Sequence, residues 1–229
     1  MMQVVITGAN RGIGLALTEL YLTAGCDVAA CCRHPDEAKA LHALMDTNEG
    51  LELFELDISS ADAIAVVGDA LAGRPVHRLI NNAGYYGPRG VMRGNTPEDE
   101  WHTLFAVNCI GPMKLVEALT DGLCQGQGVI ANLTSKMGSM ADNGSGGAYL
   151  YRSAKAAQNA VTKSLAIDFA PFKVKAVALH PGWVKTDMGG PGALIDTTTS
   201  AQGLYRVIES LTASQSGGFF DYQGRIIPW

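Results

Sequence analysis

Short apolar segments alternate with helical ones along the whole chain, and this alternation restricts the fold more than any single residue does. Residues 3–7, 27–32, 51–57, 76–81, 129–134 and 174–179 read as strands, with a last short one at 225–227. Helical stretches fall between them: about Gly12 to Ala24, one opened by Pro35, one capped by Ser59 or Ser60 and running to Ala72, a long one at 97–123, another at 149–170, and Ala201 to Ala213. Strands that are apolar at nearly every position are buried on both faces, and crossovers of one helix each make them parallel. Right-handed crossovers give an α/β, doubly wound parallel sheet with helices on both faces. A length of 229 residues suits one domain spanning 1–229.

The net charge of −5, without a basic run, argues against nucleic acid and anionic membrane surfaces as partners. No apolar run approaches the roughly 18 residues that cross a bilayer. The N-terminus passes straight into Val4-Val5-Ile6 with no basic leader segment. The five cysteines (Cys26, Cys31, Cys32, Cys109, Cys124) are odd in number and sit in apolar segments, which suits reduced thiols in a cytoplasm. Cys31 and Cys32 are adjacent in a strand and should face opposite ways. No His/Cys/Asp spacing resembles a metal site.

Ligands of doubly wound sheets bind beyond the carboxyl ends of the strands, and the unusual residues of this chain fall there. The first strand runs into Thr7-Gly8-Ala9-Asn10-Arg11-Gly12-Ile13-Gly14. Glycines in such a turn let a phosphate approach backbone N–H groups, and the following helix N-terminus adds partial positive charge. The second strand ends in Arg33 with no Asp or Glu, the acids that hold the ribose hydroxyls of NAD. Arg33, joined by Arg11, can instead meet a 2′-phosphate with paired donors, so NADP(H) is favoured over NAD(H). Asp57 ends the third strand, where it can accept from an adenine amino group or cap the next helix. Asn81-Asn82-Ala83-Gly84 ends the fourth, where small residues suit backbone packed against a ribose.

The fifth strand ends in Thr134-Ser135, and Ser135 is the hydroxyl best placed to orient a carbonyl; Thr134 and Ser139 are weaker candidates. Tyr151 and Lys155 lie four apart on one helix face. A phenol has a pKa of about 10 and a nearby ammonium favours its ionised form, so Tyr151 can exchange a proton with a carbonyl or alcohol. Asn108 lies inside an apolar helical segment, where it either accepts from a water linked to Lys155 or marks a local kink. After the sixth strand, Pro181-Gly182 makes a fixed turn, Trp183 can wall a pocket, and Thr186 can reach a carboxamide or phosphate. His180 reads as structural. Residues 136–147 and 186–199 read as loops, the second as a short mobile lid.

Together these residues resemble the short-chain dehydrogenase/reductase family over nearly the whole chain. The marks are T-G-x-x-x-G-x-G as Thr7 to Gly14, N-N-A-G as Asn81 to Gly84, Asn108, Ser135, Y-x-x-x-K as Tyr151 to Lys155, and Pro181-Gly182. The resemblance implies a Rossmann fold with strand order 3-2-1-4-5-6-7 and hydride transfer between nicotinamide and a carbonyl or alcohol. It implies that Ser135 positions the carbonyl, Tyr151 is the acid/base, Lys155 lowers its pKa and holds the nicotinamide ribose, and Asn108 anchors a proton-relay water. Cofactor contacts are implied at Gly8, Asn10, Arg11, Gly12, Ile13 and Gly14, then at Arg33, Asp57 and Ile58. Further contacts are implied at Asn82, Ala83, Gly84, Tyr151, Lys155, Pro181, Gly182, Val184 and Thr186. One departure is that Ser135 lies 16 positions before Tyr151, a few more than is usual, with the excess in the Gly/Ser loop 142–147. The long loop, Tyr-Arg-x-x-Lys and Gly-Trp-Val-x-Thr-Asp-Met-Gly-Gly are similar to a branch holding carbonyl reductases and C-factor-like signalling proteins. A homodimer or homotetramer is the family analogy.

Overall fold

The computed structural model describes residues 1–229. Strands β1 (Gln3–Thr7), β2 (Asp27–Cys32), β3 (Leu51–Glu55), β4 (Arg78–Asn81), β5 (Val129–Leu133), β6 (Lys175–His180) and β7 (Phe219–Asp221) form one seven-stranded sheet. Its order is β3-β2-β1-β4-β5-β6-β7 and all six pairings are parallel. The winding reverses between β1 and β4, which opens a crevice at their carboxyl ends.

Strand alternation divides the core into two layers. Val4, Ile6, Val28, Ala30 and Cys32 face helices α1 (Gly12–Thr23), α2 (Lys39–Met45) and α8 (Thr197–Glu209). Val5, Ala29 and Cys31 face α3 (Ala61–Ala70), α5 (Gly111–Ala118) and α7 (Tyr149–Asp168). The two adjacent cysteines thus take opposite faces, and all five are free. Full burial of each Val, Leu or Ile contributes about 1.5–3 kcal/mol, so the apolar strands hold both layers on. Arg78 on β4 adds a half-buried clamp: its Nε and Nη2 donate to both oxygens of Glu209 on α8 at 2.8 and 2.7 Å, and the Tyr21 hydroxyl of α1 donates to the same carboxylate at 2.9 Å.

Several boundaries differ from the sequence expectation. The helix expected over 97–123 is divided into α4 (Glu98–Phe105), a π-turn (Ala106–Ile110), α5 and α6 (Thr120–Gly126). Pro112 has no N–H to give to the Asn108 carbonyl four residues back, which breaks the ladder there. Gly111 is required at the break, because a Cβ on it would stand 2.0 Å from the Ile58 carbonyl oxygen. The last strand is Phe219–Asp221 and not 225–227; Ile226 makes only an isolated antiparallel bridge to Phe220. Pro35 opens a 3-10 turn (Pro35–Glu37) ahead of α2. The final helix starts at Thr197, four residues early, because the Asp196 carboxylate accepts from the Thr199 N–H at 2.7 Å. Ser60, rather than Ser59, caps α3 by accepting from the Ala63 N–H at 3.2 Å.

Candidate active site

The start of α7, the end of β5 and the π-turn bring Tyr151, Lys155, Ser135 and Asn108 to one end of the sheet. Tyr151 and Lys155 lie one turn apart and are 8% and 3% exposed. Three consecutive left-handed residues, Gly146, Gly147 and Ala148, swing the chain into α7 at φ of +64°, +65° and +44°. Arg152 holds that loop down, donating to the Met137 carbonyl at 3.2 Å and to Ser145 Oγ at 2.9 Å. After β5 the chain makes a 3-10 turn (Lys136–Gly138) capped by Ser135, whose Oγ accepts from the Met137 N–H at 3.1 Å. This turn seats directly on α7, since a Cβ on Gly138 would lie 2.9 Å from the Lys155 carbonyl carbon.

Burial dominates the electrostatics. It pushes the Tyr151 phenol up to about 12; contact with the Ser135 hydroxyl pulls the other way, and Tyr86 adds to the rise. The Tyr86 ring packs on the Tyr151 ring with centroids 4.7 Å apart. Burial likewise pulls Lys155 down to about 7, opposed by Cys109. The Lys155 ammonium donates to the Leu133 carbonyl and to Gln158 Oε1, both at 2.9 Å, and stands 5.9 Å from the Tyr151 ring centroid. The expected lowering of the phenol by the ammonium does not appear: burial is the largest influence on both groups. Asn108 is fully buried and uses both ends of its amide on one residue: Oδ1 accepts from the Tyr85 N–H at 3.0 Å and Nδ2 donates to the Tyr85 carbonyl at 2.7 Å. Of its two expected roles, the local one occupies its side chain. Gly84 lies beside both groups, as its Cβ would be 3.1 Å from Asn108 Oδ1 and 3.8 Å from Lys155 Nζ.

The other half of the crevice is built on glycine. Gly8 and Gly12 are left-handed, at φ of +65° and +58°. Gly14 admits no side chain, since a Cβ would stand 2.2 Å from the Gly8 oxygen and 2.6 Å from Asn82 Nδ2. Asn82 braces the turn by donating from Nδ2 to the carbonyls of Thr7 and Gly8 at 2.8 and 3.1 Å. Thr7 Oγ1 accepts from the N–H groups of Asn82 and Ala83, so β1 and β4 are tied at the crossover. No side chain caps α1 at Arg11, which leaves its first N–H groups to face the crevice beside Asn10 and Ile13. These features fit a dinucleotide phosphate.

Arg33 is exposed at the end of β2 and its charge helps hold the Asp57 carboxyl below its usual range, after the two Ser59 hydrogen bonds. Asp57 Oδ1 accepts from the Ser59 N–H and hydroxyl at 2.9 and 2.6 Å, so one oxygen serves the turn into α3. Ile58 is buried. Arg11 pairs with Asp187 of the loop after β6. After β6, Pro181 and Gly182 turn the chain, Val184 bridges Ile195, and the Thr186 methyl lies 3.4 Å from a Cβ position on Gly12. Trp183 is half exposed and donates from Nε1 to the Gly189 carbonyl at 2.8 Å. It helps line a cleft of about 500 Å³ with Lys136, His180, Tyr222 and Ile226; Ser135, Tyr151 and Lys155 do not line it. His180 is pulled down to about 4, chiefly by burial, and is a neutral ring.

Sequence reasoning missed Gln158, Thr162, Asn132 and Tyr86, and noted Arg152 only as part of the Tyr-Arg-x-x-Lys pattern. A signal was present for the first two: positions 151, 155, 158 and 162 share one helical face and all are polar.

The crevice, the glycine turn and the Tyr151–Lys155 pair define a nicotinamide-type oxidoreductase scaffold, and the comparisons agree. A family model described as short chain dehydrogenase matches residues 2–193, and the chain belongs to that family. Among its relatives, the C-signal of Myxococcus xanthus is 45% identical over 156 residues, covering 68% of this chain and 93% of that protein. The carbonyl reductase Sniffer of D. melanogaster superposes with a TM-score of 0.94 at 33% identity, covering 100% of both chains. An NADPH-bound carbonyl reductase from chicken fatty liver superposes with a TM-score of 0.93 at 31% identity, covering 100% of this chain and 99% of that one. No helix is long and apolar enough to cross a membrane.

Proposed function

We propose that this chain is one NAD(P)-binding unit over residues 1–229 and an NADP(H)-dependent reductase of a small carbonyl compound, or the reverse alcohol dehydrogenase. The observation that carries this reading is the burial of Tyr151 against Ser135, one turn from Lys155, at the carboxyl end of the sheet. The glycine turn of Gly8, Gly12 and Gly14 would hold the cofactor pyrophosphate, and Arg33 a 2′-phosphate. When bound, the nicotinamide supplies the hydride or takes it up.

The chain's own residues handle the proton. Ser135 and Tyr151 both donate to the substrate carbonyl oxygen, and Tyr151 gives up its proton as that oxygen gains charge. A phenol held at about 12 is fully protonated at neutral pH, as a general acid must be. The Ser135 hydroxyl stabilises the developing charge, worth about 3 kcal/mol for one such donor. Lys155 has three N–H donors, of which two are engaged, so one remains for the cofactor ribose or a relay water. Asn108, through its hold on Tyr85, fixes the wall beside that donor.

Tyr151→Phe should lower kcat by about 10²- to 10⁴-fold while leaving NADPH affinity nearly intact. Retained turnover would overturn the assignment. The likeness to the Myxococcus xanthus C-signal supports a second reading, a C-factor-like signalling or NAD(P)-sensing protein with little turnover. A saturating NADPH titration followed by a panel of aldehydes, ketones and quinones separates the two; binding without turnover on any of them favours the sensor. Exposed Ile110 and Ile167, on the π-turn and α7, support a homodimer or homotetramer joined through these helices. The five unpaired thiols support a cytoplasmic setting.

A further inference from the structure

Gln158 stands where a structural role alone would favour a leucine or methionine. It is 1% exposed, on the face of α7 that packs on the sheet. Its Oε1 accepts from Lys155 Nζ at 2.9 Å, while its Nε2 is buried without a partner. A buried amide whose two N–H donors are both unmet lowers stability relative to an apolar side chain of equal size. The site therefore sacrifices stability for the contact that Oε1 makes.

Gln158 is also held firmly. Its backbone carbonyl accepts from Thr162 Oγ1 at 2.8 Å, Thr162 Oγ1 accepts from Asn132 Nδ2 at 2.8 Å, and Asn132 Oδ1 accepts from Asn81 Nδ2 at 2.8 Å. All of these side chains are at most 1% exposed. The series crosses from α7 through β5 to β4, so the turn of helix bearing Gln158 is locked to the two strands whose ends form the site.

We propose that Gln158 is a positioning residue for Lys155, fixing the ammonium on the Leu133 side of α7 and keeping it charged. Two acceptors converge on Nζ, a backbone carbonyl and this amide, and neither carries a full charge. The titratable neighbours are Tyr151 on the same helix and Cys109 on the π-turn. From the β5 side, Thr134 and Ser135 bring hydroxyls only, and Lys136 is paired with Asp142 at 3.3 Å. Burial lowers Lys155 and Cys109 opposes it, for a net value of about 7, so an acceptor dipole at 2.9 Å weighs on whether the group is an ammonium or an amine at neutral pH. The inference rests on the role proposed for Lys155 in the reaction, but its test does not use turnover.

The test is an NMR titration of the full chain carrying ¹³C-ε-lysine, with the Lys155 signal identified by its loss in Lys155→Met. Gln158→Met keeps length and removes the acceptor; Gln158→Glu keeps shape and adds a negative charge. The expected result is a midpoint near pH 7 in the parent protein. It should move down in Gln158→Met, on the order of tenfold in proton affinity, and up in Gln158→Glu. Gln158→Met should melt no lower than the parent, whereas a residue needed only for packing would lower the melting temperature. Midpoints that stay put in both variants, or that move the same way in both, would overturn the proposal. If Gln158→Met does not fold, the Glu variant decides alone: an upward shift supports the inference and any other result refutes it.

Discussion

Asn108 offers a sharp test of how the site is held, because both of its hydrogen bonds go to a single peptide unit. In Asn108→Ala the Tyr85 N–H and carbonyl lose partners at 3.0 and 2.7 Å. Both bonds are only partly buried, so the net figure for a made hydrogen bond applies rather than the full penalty of burying an unmet group. At about 0.5–1.5 kcal/mol each, two bonds give a loss of roughly 1–3 kcal/mol. For a chain of this size, that corresponds to a fall in Tm of about 2–12 °C, at 2–4 °C per kcal/mol. Asn108→Asp should fall in the same range, because the oxygen that replaces Nδ2 would face the Tyr85 carbonyl. Urea denaturation followed by circular dichroism measures the loss directly. If both variants unfold within about 0.5 kcal/mol of the parent, the Tyr85 bracket contributes nothing and the reasoning fails.

Other expectations follow from the same geometry. Lys155 has a folded pKa depressed to about 7 from 10.5, so between those values the unfolded chain binds more protons and stability rises with pH. Lys155→Met should therefore be more stable than the parent, most of all below pH 7, with the gap closing towards pH 10.5; a gap constant with pH in melting experiments would contradict this. His180 is depressed to about 4 from 6.5, so its neutral burial contributes stability that is lost as pH falls through that window, and His180→Gln should flatten that acid limb in a stability–pH series. Gly14→Ala forces a methyl to within 2.2 Å of the Gly8 oxygen; NADPH affinity, read by fluorescence, should fall at least about tenfold, and unchanged binding would remove the turn from the cofactor site. Arg33→Asp should weaken NADPH far more than NADH, and equal losses would point to a folding defect instead.

Most strand positions were legible because nearly every strand is rich in apolar residues and each crossover is long enough for one helix, whereas the strand order followed from the family resemblance. The failures are local. Pro112 was visible in the sequence, but its effect falls four residues earlier, on the Asn108 carbonyl, and turns a long helix into a π-turn flanked by short pieces. The pair Phe219-Phe220 is too short to register as a strand after Gly217-Gly218; its pairing partner Ala178–Leu179 supplies the order that local pattern could not. In the site, Tyr151, Lys155 and Ser135 were legible from spacing and position. Two electrostatic features were not: that burial is the largest influence on the phenol and the ammonium, and that Arg11 pairs with Asp187. Both depend on distant segments packing together. The brace from Asn82 to Gly8 likewise joins residues 74 positions apart.

The position of β1 between β2 and β4 has a consequence for biogenesis. β1 is made before β4, and one of its edges stays open until Arg78–Asn81 has been made. During that interval the nascent chain presents Val4, Val5 and Ile6, all fully enclosed in the finished protein, beside an unpaired backbone edge that other chains can join. Translation that slows before residue 78 would lengthen this exposure, and protection of the growing chain by holding factors should matter most until β4 is made.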